Sequence, residues 1–122
     1  MSGIAEFIAV NLDCPEPPVL AAFYGALTGG EITYNTAEAA AVRLPNGVDL
    51  YFQGVAGYQA PQWPGQERPQ QFHLDFRVDD LAQAEETVKG LGGGKPDLQP
   101  GGTRWVVLTD PAGHPFCACL RQ

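Results

Sequence analysis

Phe72-His73-Leu74-Asp75-Phe76-Arg77-Val78-Asp79-Asp80-Leu81 alternates apolar and polar side chains from Phe72 to Val78 and then changes period. From there Leu81, Ala84, Val88 and Leu91 recur at helical spacing, so a half-buried strand runs directly into an amphipathic helix. The same change occurs at Ile8-Ala9-Val10-Asn11-Leu12-Asp13-Cys14, followed by Val19, Leu20, Phe23 and Leu27. Each stretch closes with a Pro-x-Gly turn and another strand: Pro45-Asn46-Gly47 before Leu50-Tyr51-Phe52, and Pro111-Ala112-Gly113 before Phe116-Cys117-Ala118. The chain therefore reads as one module of roughly sixty residues used twice, and such a period implies copies that pack together with a site between them.

The intervening residues fill in both modules. Pro15, Pro17 and Pro18 lead into the first helix, where missing N–H groups are tolerated, and Gly29-Gly30 ends it. Strands are predicted at Phe7–Leu12, Glu31–Asn35, Ala39–Leu44 and Val48–Gln53. In the second module Asp80 caps the helix with Gln83 three residues on, and Gly92-Gly93-Gly94 stops it. Strands near Pro96–Gln99, Thr103–Thr109 and Pro115–Leu120 complete an order of βαβββ twice. The expected fold is α+β, in a single domain over residues 1–122. Module one covers 4–53, a connecting segment 54–70, and module two 71–122. That segment has no period, and it carries Tyr58 and Trp63 among its prolines, as a crossover or functional flap would.

The chain has 122 residues, 44% of them hydrophobic, with 15 glycines and 11 prolines spread among turns. One packed domain follows, not a disordered chain. A net charge of −7 with scattered basic residues argues against nucleic acid or anionic membrane partners. No apolar run reaches the roughly 20 residues of a membrane span, and the first residues lack a secretory pattern. The three cysteines, Cys14, Cys117 and Cys119, form no Cys-x-x-Cys pair, and residues two apart on a strand are too distant to bridge comfortably. A cytoplasmic location is expected. Gly92-Gly93-Gly94 follows a helix instead of opening one, so no phosphate cradle is predicted.

Leu12-Asp13-Cys14-Pro15, Ala22-Phe23-Tyr24-Gly25-Ala26-Leu27, the His73–Leu81 run and Asp110-Pro111-Ala112-Gly113-His114-Pro115-Phe116 together resemble the vicinal oxygen chelate superfamily. Within it they are similar to the glyoxalase-like, bleomycin-resistance-type proteins. The resemblance spans nearly the whole chain and implies two βαβββ copies, each forming half of a cup with its helix outside. Alternation then places Ile8, Val10 and Leu12, and Leu74, Phe76 and Val78, under the helices. Ala9, Asn11, Asp13, Tyr51, Gln53, His73, Asp75, Arg77, Cys117 and Cys119 are left toward the cup.

Metal-dependent members of the superfamily hold a divalent ion with four side chains, and those positions fall here on Ala9, Tyr51, His73 and Cys117. Ala9 binds nothing and Tyr51 is a poor ligand, whereas an ion of this kind needs about three protein ligands. No cofactor and no metal are therefore expected, with His73 the one ordinary ligand should an ion be present. Residues two apart on one strand seldom meet in the geometry that proton transfer demands, which weighs against a His73–Asp75 pair. Cys117 reads as a small buried residue, His114 as an exposed turn residue, Trp105 as core, and Glu85, Glu86 and Lys89 as a solvated helix face.

Three functions are compatible with these residues. The first is a metal-free binder of a small organic molecule, using Asn11, Gln53, Tyr58, Trp63, Arg77 and Cys117. The second is an enzyme of lyase, isomerase or dioxygenase type, with His73, Asp75 and Tyr51 as acid/base groups or ligand. The third is a metal enzyme with an incomplete site completed by water or a partner chain. The first is preferred. A homodimer is also expected, with Trp63 as an aromatic anchor.

Overall fold

The computed structural model describes residues 3–121 and divides into two compact units, Met1–Tyr58 and Gln59–Gln122. In the first unit, β1 (Ala9–Cys14) leads to α1 (Pro17–Thr28), then β2 (Glu31–Asn35), β3 (Ala39–Arg43) and β4 (Asp49–Gly54). Pro17 and Pro18 occupy the first helical positions, and Gly29 closes the helix in the left-handed region at φ 74°, its N–H donating to Gly25 O. That conformation favours glycine.

The sheet order is β1-β4-β3-β2, with β1 parallel to β4 and the other pairs antiparallel. A parallel pair needs a crossover, which α1, β2 and β3 provide. Register sets Val10 beside Leu50 and Val42, and Leu12 beside Phe52 and Ala40, on one face. Tyr24 of α1 stacks on Phe52 with ring centroids 5.6 Å apart, so this face lies under the helix. Leu20, Phe23, Tyr24, Val42, Leu50 and Phe52 are fully buried. Each such side chain contributes about 1.5–3 kcal/mol by leaving water. Ile8 does not join them. It precedes the first strand, which starts two residues later than predicted from Phe7, and is 65% exposed.

In the second unit, β5 (Leu74–Val78), α2 (Leu81–Gly90), β6 (Trp105–Thr109) and β7 (Pro115–Leu120) form a three-stranded sheet of order β5-β7-β6. Asp80 caps α2 as expected, its carboxylate accepting from Gln83 N at 3.1 Å. The second module is thus βαββ, not βαβββ. The strand predicted near Pro96–Gln99 shrinks to a single bridge between Gly94 and Thr109. Pro96 has no N–H to offer a ladder, and Gln99 substitutes its side chain: Oε1 accepts from Val107 N at 2.8 Å while Nε2 donates to Val107 O at 2.9 Å.

The predicted alternation of β5 holds, with Leu74, Phe76 and Val78 shielded and Asp75 and Arg77 exposed. The three apolar residues are only half-buried, however. β5 is an edge strand, and α2 packs chiefly over β6 and β7 through Ala84 and Val88. Phe76 instead meets Phe116 edge-on at 5.7 Å.

Candidate functional site

A hollow of about 420 Å³ lies on the face of the second sheet opposite α2, lined among others by Trp63, His73, Asp75, Trp105, Cys117 and Cys119. Strand register builds it. Asp75, Cys117 and Val107 stand in one row across β5, β7 and β6, and Arg77, Cys119 and Trp105 in the next. The connecting segment supplies a further wall by folding on itself. Gln62 N donates to Arg68 O at 2.6 Å, Arg68 Nε donates to Ala60 O at 3.1 Å, and Trp63 sits within that loop.

The polar corner centres on Asp75. Its Oδ1 lies 3.2 Å from His73 Nε2, and register sets Cys117 directly opposite it on β7, with its sulfur within 4.8 Å of both groups. The expectation that residues two apart seldom meet fails here for a local reason. His73 lies just before β5 begins, outside the pleat, and is free to lean toward Asp75. Burial pushes the Cys117 thiol up to about 11, aided by the negative Asp75 and the neighbouring Cys119. At neutral pH this sulfur keeps its proton and is a poor nucleophile. Cys119 shifts in the same direction, through burial and Asp75, with Arg77 opposing. None of the three cysteines is joined in a disulfide.

Other predicted site residues are not among those that line the hollow. Asn11 pairs in register with Tyr51, and Asp13 with Gln53, on the exposed face of the first unit's sheet. The hydroxyl of Tyr51 lies 3.4 Å from Asp49 Oδ2, and Asp49 is itself held by Arg43 through a two-pronged ion pair. Tyr51 is thus engaged by Asp49, and the partner of His73 is Asp75. Tyr58 ends the first unit and is not among the residues lining the hollow. Arg77 is exposed beside Cys119 and has no ion pair among the described residues.

Two residues depart from expectation. Trp105 is not core: it is 37% exposed and forms part of the hollow. Its ring rests on the backbone of Gly101, where an added Cβ would come within 2.5 Å of ring carbon Cδ2. The pairing of Trp105 with Cys119 was the signal available in sequence, since alternation puts both on the face of Cys117. His114 is not an exposed turn residue either. Its side chain is 16% exposed, with Nδ1 2.7 Å from the buried carboxylate of Asp110. Asp110 Oδ1 also accepts from Ala112 N and His114 N, so this pair organises the turn.

The four positions that hold the superfamily's divalent ion do not fit it here, because the methyl group of Ala9 offers no donor atom. The aromatic hydroxyl at the second position, Tyr51, is already directed to Asp49.

A family model described as a glyoxalase-like domain matches residues 9–119. No curated protein sequence matches the chain. Among solved structures, a glyoxalase-related enzyme from Fulvimarina pelagi aligns at TM-score 0.69 with 20% identity, covering 97% of this chain and 89% of that one. A glyoxalase/bleomycin resistance protein from Albidiferax ferrireducens aligns at 0.66 with 20% identity, covering 95% and 98%. The bleomycin resistance determinant encoded on transposon Tn5 aligns at 0.59 with 22% identity, covering 97% and 99%. At these identities the structural likeness speaks for the fold alone. The family match covers most of the sequence, and the chain belongs to the glyoxalase-like domain family of the vicinal oxygen chelate superfamily.

Proposed function

We propose that the protein binds a small, flat organic molecule bearing a carboxylate or carbonyl in the hollow of its second unit. The observation that carries this reading is the pairing of two indole rings, Trp63 and Trp105, with one polar corner, His73 and Asp75, in a space of about 420 Å³. Small-molecule sites are typically hollows of roughly 300–1,000 Å³, mostly apolar with a few converging polar groups. The indoles offer stacking surface, and His73 offers a hydrogen bond to the ligand's oxygen. The chain contains two tryptophans, and both line the hollow. Intrinsic fluorescence therefore reports occupancy directly. Titration with aromatic acids and carbonyl compounds is expected to shift the emission and raise the melting temperature. Binding that persists unchanged in both Trp105→Ala and His73→Ala places the ligand elsewhere.

A second reading, an enzyme using His73 as acid or base, is favoured by the 3.2 Å contact with Asp75. A carboxylate on one ring nitrogen fixes the tautomer and leaves the other nitrogen to a substrate. Mass spectrometry of the bound compounds after incubation separates the readings, since a binder returns them unchanged.

The protein is also proposed to pair with a second copy of itself. Support comes from Ile4, Phe7, Ile8 and Phe72, large apolar side chains left mostly exposed by one chain. Light scattering at tens of micromolar tests this, and a monomer removes it.

A further inference from the structure

His73, Asp75 and Cys117 each present one donor atom, and the three atoms lie within 4.8 Å of one another. All three belong to the second unit, and the register fixes two of them: Asp75 on β5 stands directly opposite Cys117 on β7. Zinc–ligand bonds of 2.0–2.3 Å in a tetrahedral arrangement hold their donors roughly 3.3–3.6 Å apart. The His73–Asp75 contact, at 3.2 Å, already meets that spacing. The sulfur, no more than 4.8 Å from either partner, closes to that spacing by a side-chain rotation.

We propose that these three side chains form a binding site for a zinc-class ion, with its fourth position open to the hollow. The donor chemistry selects the class. One imidazole nitrogen, one carboxylate oxygen and one thiolate sulfur suit a borderline-soft ion, whereas magnesium, calcium and manganese favour all-oxygen shells. Three protein ligands plus an open position is the arrangement of zinc sites that take a small molecule as the fourth ligand. The set differs from the one the superfamily resemblance implies: it omits Ala9 and Tyr51, adds Asp75, and lies within one module.

On binding, the ion sits among the three donor atoms, and the imidazole, coordinating through Nε2, carries its one proton on Nδ1. The thiol proton passes to solvent and a sulfur–metal bond replaces the S–H bond, with no redox change. The site goes beyond organic-ligand binding and stands whether or not that reading holds, because its test uses the metal alone.

The test is titration of the untagged, metal-free protein with cobalt(II) and zinc. One equivalent of cobalt is expected to give an intense near-ultraviolet thiolate-to-cobalt band. The band should vanish in Cys117→Ser, persist in Cys119→Ser, and require at least about tenfold more cobalt in Asp75→Asn and His73→Ala. X-ray absorption of the zinc-loaded wild-type protein reads the same site without any variant, so a substitution that fails to fold does not block the test. One sulfur at about 2.3 Å with nitrogen and oxygen neighbours at about 2.0–2.2 Å is expected. A shell without sulfur, a shell with two sulfurs, or a cobalt band unaffected by Asp75→Asn overturns the proposal.

Discussion

The side-chain amide of Gln99 makes with Val107 the two hydrogen bonds that a neighbouring strand residue would make, accepting from N at 2.8 Å and donating to O at 2.9 Å. It donates as well to Pro96 O at 2.9 Å, which holds the amide plane in place. One side chain thus completes the open edge of β6, the strand that carries Trp105 and Val107 into the hollow.

Gln99→Ala should leave the half-shielded Val107 N–H and C=O without these partners. An unpaired buried polar group costs about 1–3 kcal/mol, so a loss of that order is expected in urea unfolding. Gln99→Glu should lose less, because a carboxylate still accepts from Val107 N. A Gln99→Ala variant as stable as wild type would show that water replaces the amide at no cost.

The turn before β7 depends on Asp110, which is 3% exposed and bonded to two backbone N–H groups and the His114 ring. Asp110→Ala removes a charged acceptor from three donors at once. Hydrogen bonds to charged groups contribute about 1.5–3 kcal/mol each, and a destabilisation of at least about 3 kcal/mol is expected. His114→Ala should cost less, because the backbone bonds survive. Equal losses in the two variants would mean that the ring contact, not the backbone turn, dominates.

Most of the frame was legible in the sequence because period and turn chemistry dictate it. The phase of β5, the cap at Asp80 and the prolines opening α1 follow from local rules. What was not legible depended on partners distant in sequence. No local signal says that a glutamine side chain will replace a strand. Trp105 was assigned to the core on residue type, although its register against Cys119 determines its side of the sheet. Likewise Asp75 and Cys117 are 42 residues apart in numbering and meet only through the parallel pairing of β5 with β7.

Glu85 offers a pH test away from the hollow. Hydrogen bonds from Lys89 and Lys95, each at 2.8 Å, hold its carboxyl down at about 2, against an ordinary value of 4.5. The folded value lies below the unfolded one. Stabilisation from these pairs is therefore fully present above about 4.5 and fades as pH falls toward about 2. An NMR titration of the side-chain carboxyl should show the lowered midpoint. Lys89→Ala and Lys95→Ala should each move it back toward 4.5, and added salt should do the same. A midpoint indifferent to either lysine would mean that the pairs do not persist in solution.

Gly101 sets the position of Trp105, and this gives the most direct test of the hollow. A Cβ at residue 101 would lie 2.4 Å from Trp105 O and 2.5 Å from ring carbon Cδ2. The oxygen is backbone and cannot yield by a side-chain rotation, so the ring and the chain beneath it must shift. Gly101→Ala should therefore displace the indole, altering tryptophan emission in the free protein and costing about 1–3 kcal/mol from overpacking. If the indole is one wall of a ligand site, aromatic acids that bind the wild type should bind this variant at least about tenfold more weakly, the loss of a stacking contact near 1.4 kcal/mol. Trp105→Phe keeps a flat ring without the indole bulk and should lose less. An altered emission with undiminished binding would separate the two effects: Gly101 would still seat Trp105, and the ligand would rest on Trp63 instead.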